Sequence, residues 1–105
     1  MNERREGFRC NADTDVTISG VSGRICNLSM GGMMCFLDSS VPSMKTLDIS
    51  FKIKDYEINI KGTVLRCEEI TKDNFSVGVY FNTPTMSDVD RNKLSIYLDE
   101  LRRNV

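Results

Sequence analysis

The chain contains no histidine. That absence removes the commonest general base and the nitrogen ligand that would complete a zinc site with cysteine, so neither histidine-based catalysis nor a Cys/His metal centre is expected. The four cysteines, Cys10, Cys26, Cys35 and Cys67, form no C-x-x-C pair. They read as small hydrophobes, kept reduced and carrying no chemistry of their own. No apolar run approaches bilayer length, and "MNERREGFRC" lacks the hydrophobic stretch of a signal peptide. The expected location is therefore cytoplasmic, with no insertion into a membrane. A positive field is missing too: the formal net charge is -1, so DNA or RNA is not an expected partner. Nothing resembles a nucleophile with its base or a Walker loop. The chain is read as no enzyme, with no catalytic residue, no metal ligand and no cofactor.

What is present suits one small folded domain. The 105 residues are 40% hydrophobic and 28% charged, enough for a single core and too few for two. From Asp13 to Phe81 short β-type segments alternate with turn signals and show no helical period. "DVTISG" alternates apolar and polar residues, "GRICNLS" follows a Gly/Ser turn, and "MMCFL" begins after Gly31 and Gly32. The loop "SSVPSM" leads to "TLDISFKI", where Leu47, Ile49, Phe51 and Ile53 recur at period two. Lys54 and Asp55 form a hairpin tip before "YEINIKGTVLRCEEI", a long strand in which Gly62 marks a bend or bulge. "TKDN" then turns the chain into "FSVGVYF". About six strands result, and closing them into a small antiparallel barrel removes exposed edges.

After Pro84 the period changes. Leu94, Tyr97, Leu98, Leu101 and Val105 make one apolar helical stripe, with Ser87 or Thr85 as the cap, Asp88 and Asp90 in the first turn, and Arg102 and Arg103 near the end. A single domain over 1-105 is expected: a polar arm at 1-10, flexible by default, a barrel at 11-83 and a C-terminal helix at 85-104.

Two short stretches carry chemistry. "RREGFR" holds Arg4, Arg5 and Arg9, and arginine suits phosphate because its planar fork donates paired charge-assisted hydrogen bonds and its face stacks on purines. "NLSMGG" places Asn27, Ser29 and Gly32 at a strand end. Together they resemble the PilZ domain family of bacterial cyclic di-GMP receptors, whose paired signature is R-x-x-x-R followed by [D/N]-x-S-x-x-G. Arg5 and Arg9 match the first motif; Asn27, Ser29 and Gly32 match the second.

The resemblance extends over essentially the whole chain. It implies an all-β fold: a six-stranded antiparallel β-barrel of the PilZ-like, split-barrel type, with a flexible N-terminal arm, glycine-started strands such as "GTVLR" and "VGVYF", and one C-terminal helix. It also implies that Arg5 and Arg9 hold phosphates and guanine faces of cyclic di-GMP, that Asn27 and Ser29 bond a guanine edge, and that Gly32 provides a conformation or close approach that a Cβ would obstruct. Asn27 stands where many relatives carry Asp, which lowers the charge available to guanine N–H groups. Arg66 on the long strand faces the same pocket in this reading, and Arg4 stacks on a second ligand molecule.

The implied function is a stand-alone cyclic di-GMP receptor that remodels its surface to regulate an unidentified effector protein in bacterial second-messenger signalling. The alternative is a PilZ-type protein-interaction adaptor that binds no nucleotide.

Overall fold

A computed structural model describes residues 10–103. The apolar alternation produces six strands: β1 (Thr14–Ile18), β2 (Val21–Leu28), β3 (Gly32–Leu37), β4 (Thr46–Ile53), β5 (Tyr56–Thr71) and β6 (Asn74–Phe81). Every neighbouring pair is antiparallel, and the sheet closes on itself in the order β1-β2-β3-β6-β5-β4. The expected six-stranded barrel is therefore present. Closure gives each strand two neighbours along part of its length, while the end of β5 from Arg66 to Thr71 pairs with β6 alone among the described residues.

Period-two residues fill the interior. On β4, Ile49, Phe51 and Ile53 are buried while Lys52 between them is exposed, and the rings of Phe51 and Phe81 stack with centroids 6.2 Å apart. The 16-residue β5 serves both halves of the barrel, its first half pairing with β4 and its second with β6.

Gly62 is not a bulge. It stays in register with Leu47 on one side and Phe81 on the other, and the β5–β6 shifts fall at Val64/Arg66 and Glu69/Thr71. A Cβ at Gly62 would approach Ile49 Cδ1 to 2.5 Å and Val79 Cγ1 to 2.9 Å. Interior crowding requires the glycine.

A bulge that does matter lies on β2. The register with β3 runs Ile25↔Cys35 and then Asn27↔Met34, so Cys26 is the extra residue. One inserted residue lets both Ile25 and Leu28 point into the core, and it turns Asn27 to the outer face beside Met34.

After a short 3-10 turn at Thr83–Thr85, helix α1 (Asp88–Arg103) closes the barrel. Ser87 caps it, its Oγ accepting from the Asp90 N–H at 3.0 Å. Leu94 is fully buried, and Tyr97, Leu98 and Leu101 pack against the core; Val105, the last residue of the expected stripe, lies outside the described residues. Tyr56 donates its hydroxyl to Asp90 Oδ1 at 2.6 Å and Lys54 pairs with Glu100 at 3.0 Å, so both ends of α1 are tied to the β4–β5 hairpin. Among the described residues no helix is long and apolar enough to cross a membrane.

Candidate functional site

The second motif occupies the β2–β3 hairpin. Ser29 donates from its backbone N–H at 2.9 Å and from its hydroxyl at 3.2 Å, both to the Gly32 carbonyl. Gly31 stitches the same turn to β6 by accepting from the Phe81 N–H at 2.9 Å. Neither Gly31 nor Gly32 has a positive φ, so the glycine pair does not serve a left-handed turn. A Cβ on Gly32 would run into the Val79 carbonyl oxygen, whereas one on Gly31 would meet nothing within 4 Å. Close approach of β3 to β6 accounts for Gly32, one of the two alternatives the sequence leaves open.

These contacts decide what the hairpin offers a ligand. The one hydroxyl hydrogen of Ser29 is engaged, which leaves its oxygen as an acceptor. Asn27 directs Nδ2 at Cys26 Sγ, 3.7 Å away, and its Oδ1 has no partner among the described residues. Two acceptor oxygens therefore flank Leu28 at the strand end.

The chain leading into β1 runs along this same strand. Asn11 Nδ2 donates to the Leu28 carbonyl at 3.2 Å, and its Oδ1 accepts from the Leu28 N–H at 2.9 Å. The Ala12 N–H donates to the Cys26 carbonyl at 3.0 Å, and Arg24 pairs with Asp13 at 2.6 Å and with Asp15. Asp13 and Asp15 hold the Arg24 guanidinium above its usual range, the hydrogen bond that it donates to Asp13 contributing most.

One expectation about the cysteines is overturned here. Cys10 and Cys26 are joined by a disulfide, their Cα atoms 4.5 Å apart across a sequence separation of 16. The bulge at Cys26 and the bonds made by Asn11 and Ala12 bring the two residues side by side, a geometry that cysteine spacing alone does not reveal. The reading as an inert buried thiol does hold for Cys35, which is fully buried and unbonded; burial pushes it up to about 12, with Cys67 adding to the shift.

Arg66 lies on the same outer face as Asn27. Register partners run Asn27 to Met34, Met34 to Gly78, and Gly78 to Arg66, three strand spacings or about 14 Å. Gly78 leaves open space in the middle of that row. Arg66 is exposed and makes no hydrogen bond or ion pair among the described residues, in contrast to Arg24. Depressions flank the entering chain: one is bordered by Asn11, Ser29, Met30 and Arg102, the other by Cys10, Arg24, Phe36 and Tyr97.

The structure thus groups Asn27, Ser29 and Gly32 on one hairpin and sets Arg66 across the same face. Arg4, Arg5 and Arg9 lie outside the described residues. Sequence reasoning missed Asn11, which no motif marks, and the Cys10/Cys26 pair. Each cysteine adjoins a motif, Cys10 after Arg9 and Cys26 before Asn27, but that adjacency does not mark them as a pair.

The fold is shared with solved structures. The inhibitor of motility from Bacillus subtilis, MotI/DgrA, superposes with a TM-score of 0.75 at 18% identity, covering 90% of this chain and 49% of that one. PlzA of Borreliella burgdorferi, solved in complex with c-di-GMP, gives a TM-score of 0.51 at 17% identity, covering 92% of this chain and 37% of that one. The chain thus spans half or less of the length of either protein. Comparison with curated protein sequences finds no match. The family model described as "PilZ domain" matches residues 3–100, nearly the whole chain, and the barrel, hairpin motif and terminal helix agree with it: the chain belongs to the PilZ domain family.

Proposed function

We propose that the protein is a cyclic di-GMP receptor that acts on a partner protein and catalyses no reaction. The observation that carries this reading is the pair of open acceptors, Asn27 Oδ1 and Ser29 Oγ, at a strand end to which the chain following Arg5 and Arg9 is fastened. Guanine presents two adjacent donors on its Watson–Crick edge, N1–H and the N2 amino group, which fit two acceptors. Adenine presents an acceptor at N1 and does not. Arg5 and Arg9 neutralise the two phosphates and stack on the bases, Arg66 closes the far side of the face across Gly78, and Arg4 receives a second ligand molecule.

The c-di-GMP complex of PlzA supports the ligand, and the description of MotI/DgrA as an inhibitor of motility supports action on another protein. With cyclic di-GMP as the signal, the working compartment is the bacterial cytoplasm, and the ligand-covered face is what an effector reads.

Hydrogen exchange tests the assignment. Cyclic di-GMP is expected to slow exchange of the amides from Asn27 to Gly32 while leaving Ile49 to Ile53, on β4 between β1 and β5, unchanged. Uniform change across the barrel, or none at the hairpin, would contradict it.

A further inference from the structure

The outer face that carries Asn27 and Arg66 continues by one row toward the hairpin turn. In that row Gly32 of β3 pairs with Tyr80 of β6, and Tyr80 with Thr63 of β5. Tyr80 is 59% exposed while Val79 and Phe81 on either side of it are buried, so strand alternation sets Tyr80 on the same face as Gly78, two residues or about 7 Å along β6. It is the one aromatic residue among the exposed large hydrophobics of the described chain.

The three tyrosines are used differently. Tyr56 donates its hydroxyl to Asp90 and carries the Lys93 ammonium 4.9 Å from its ring centroid, and Tyr97 packs against the core. Tyr80 makes no hydrogen bond and no ring contact among the described residues. Space is kept beside it: its β3 partner Gly32 has no side chain to cover the ring, and a Cβ on Gly78 would meet nothing within 4 Å. A single exposed tyrosine needs no explanation. A free ring between two glycines, next to the acceptors that would read a guanine edge, has one.

We infer that Tyr80 is the platform on which a guanine of the ligand stacks while its edge is read by the hairpin acceptors. The inference rests on the receptor reading above and adds a residue that neither motif contains. Ser29 Oγ is 3.2 Å from the Gly32 carbonyl oxygen, and Gly32 is one strand spacing, about 4.8 Å, from Tyr80. A base whose edge reaches Ser29 therefore lies within reach of the Tyr80 ring. Asn27 and Ser29 satisfy only the edge of that base; its flat faces are apolar, and an aromatic ring removes one of them from water. Stacking accepts any base, so Tyr80 supplies affinity and the hairpin acceptors supply the choice of guanine.

Calorimetric titration of Tyr80→Leu with cyclic di-GMP tests the platform, with Tyr80→Phe as the variant that keeps the ring. Both changes fall at an exposed position, and thermal unfolding should match the wild type. The Kd of Tyr80→Leu should rise roughly five- to a hundredfold, and that of Tyr80→Phe should stay at the wild-type value. In the wild-type chain carrying isotope-labelled tyrosine, cyclic di-GMP should move the ring resonances of Tyr80 upfield and leave those of Tyr56 in place. Wild-type affinity in Tyr80→Leu, an equal loss in Tyr80→Phe, or an unmoved Tyr80 ring in the saturated complex overturns the platform and leaves the receptor reading standing. Absence of binding by the wild type overturns both.

Discussion

Asn11 pairs with Leu28 through both ends of its side-chain amide, donating to the carbonyl and accepting from the N–H of the same residue. A side chain thereby substitutes for a backbone strand where β1 has not yet begun. Leu28 lies between Asn27 and Ser29, so the contact sets the entering chain against the two candidate guanine-binding side chains. Asn11→Ala is expected to lose both bonds, about 1–3 kcal/mol. For a domain of this size each kcal/mol lowers Tm by about 4–8 °C. Cyclic di-GMP affinity should fall with it. A Tm within a degree of wild type would mean that the pair contributes nothing.

Arg5→Ala and Arg9→Ala each remove a charge-assisted contact to phosphate in the proposed complex. The expected loss is about 1.5–3 kcal/mol, or roughly ten- to a hundredfold in Kd, with thermal stability unchanged. Wild-type affinity in both variants would remove the arginines from the site.

Arg4 is expected to govern stoichiometry rather than affinity alone. With its guanidinium available to stack on the outer guanine of an intercalated ligand pair, the wild type should take up two molecules per chain and Arg4→Leu fewer. The same stoichiometry in both proteins would contradict this role, whatever the Kd values.

The two hairpin glycines should behave oppositely. A methyl group at Gly32 meets the Val79 carbonyl oxygen, while one at Gly31 meets open space. Gly32→Ala must push β3 away from β6 and should cost about 1–3 kcal/mol. Gly31→Ala should be neutral, or stabilising by about 0.4–1 kcal/mol through the unfolded state. Urea midpoints for the two variants check the contrast, and equal midpoints would rule it out.

Strand and helix identity were legible because burial follows a period the residues themselves carry. Ile49, Phe51 and Ile53 alternate inward along β4, and Leu94, Tyr97, Leu98 and Leu101 share one face of α1. Pairing was less legible, since period two says which face is buried and not which strand lies alongside. Hence the change of partner along β5 was not evident, and Gly62 was read as a bend or bulge, of which the register rules out the bulge and the packing adds a crowded interior. The hairpin motif was readable as residue types at fixed spacing. The Asn11 contact and the Cys10–Cys26 bond were not, because both depend on a bulge that places residues 16 or 17 positions apart side by side.

The central claim is that the hairpin reads guanine through Asn27 and Ser29. Calorimetric titration of the wild type with cyclic di-GMP and, in parallel, cyclic di-AMP tests it most directly, since the two ligands share charge, phosphates and ring and differ in the base edge. Binding of cyclic di-GMP at least about tenfold tighter than cyclic di-AMP is expected from the loss of even one well-made hydrogen bond in the adenine complex. Equal affinity for the two, or binding of neither, would contradict it.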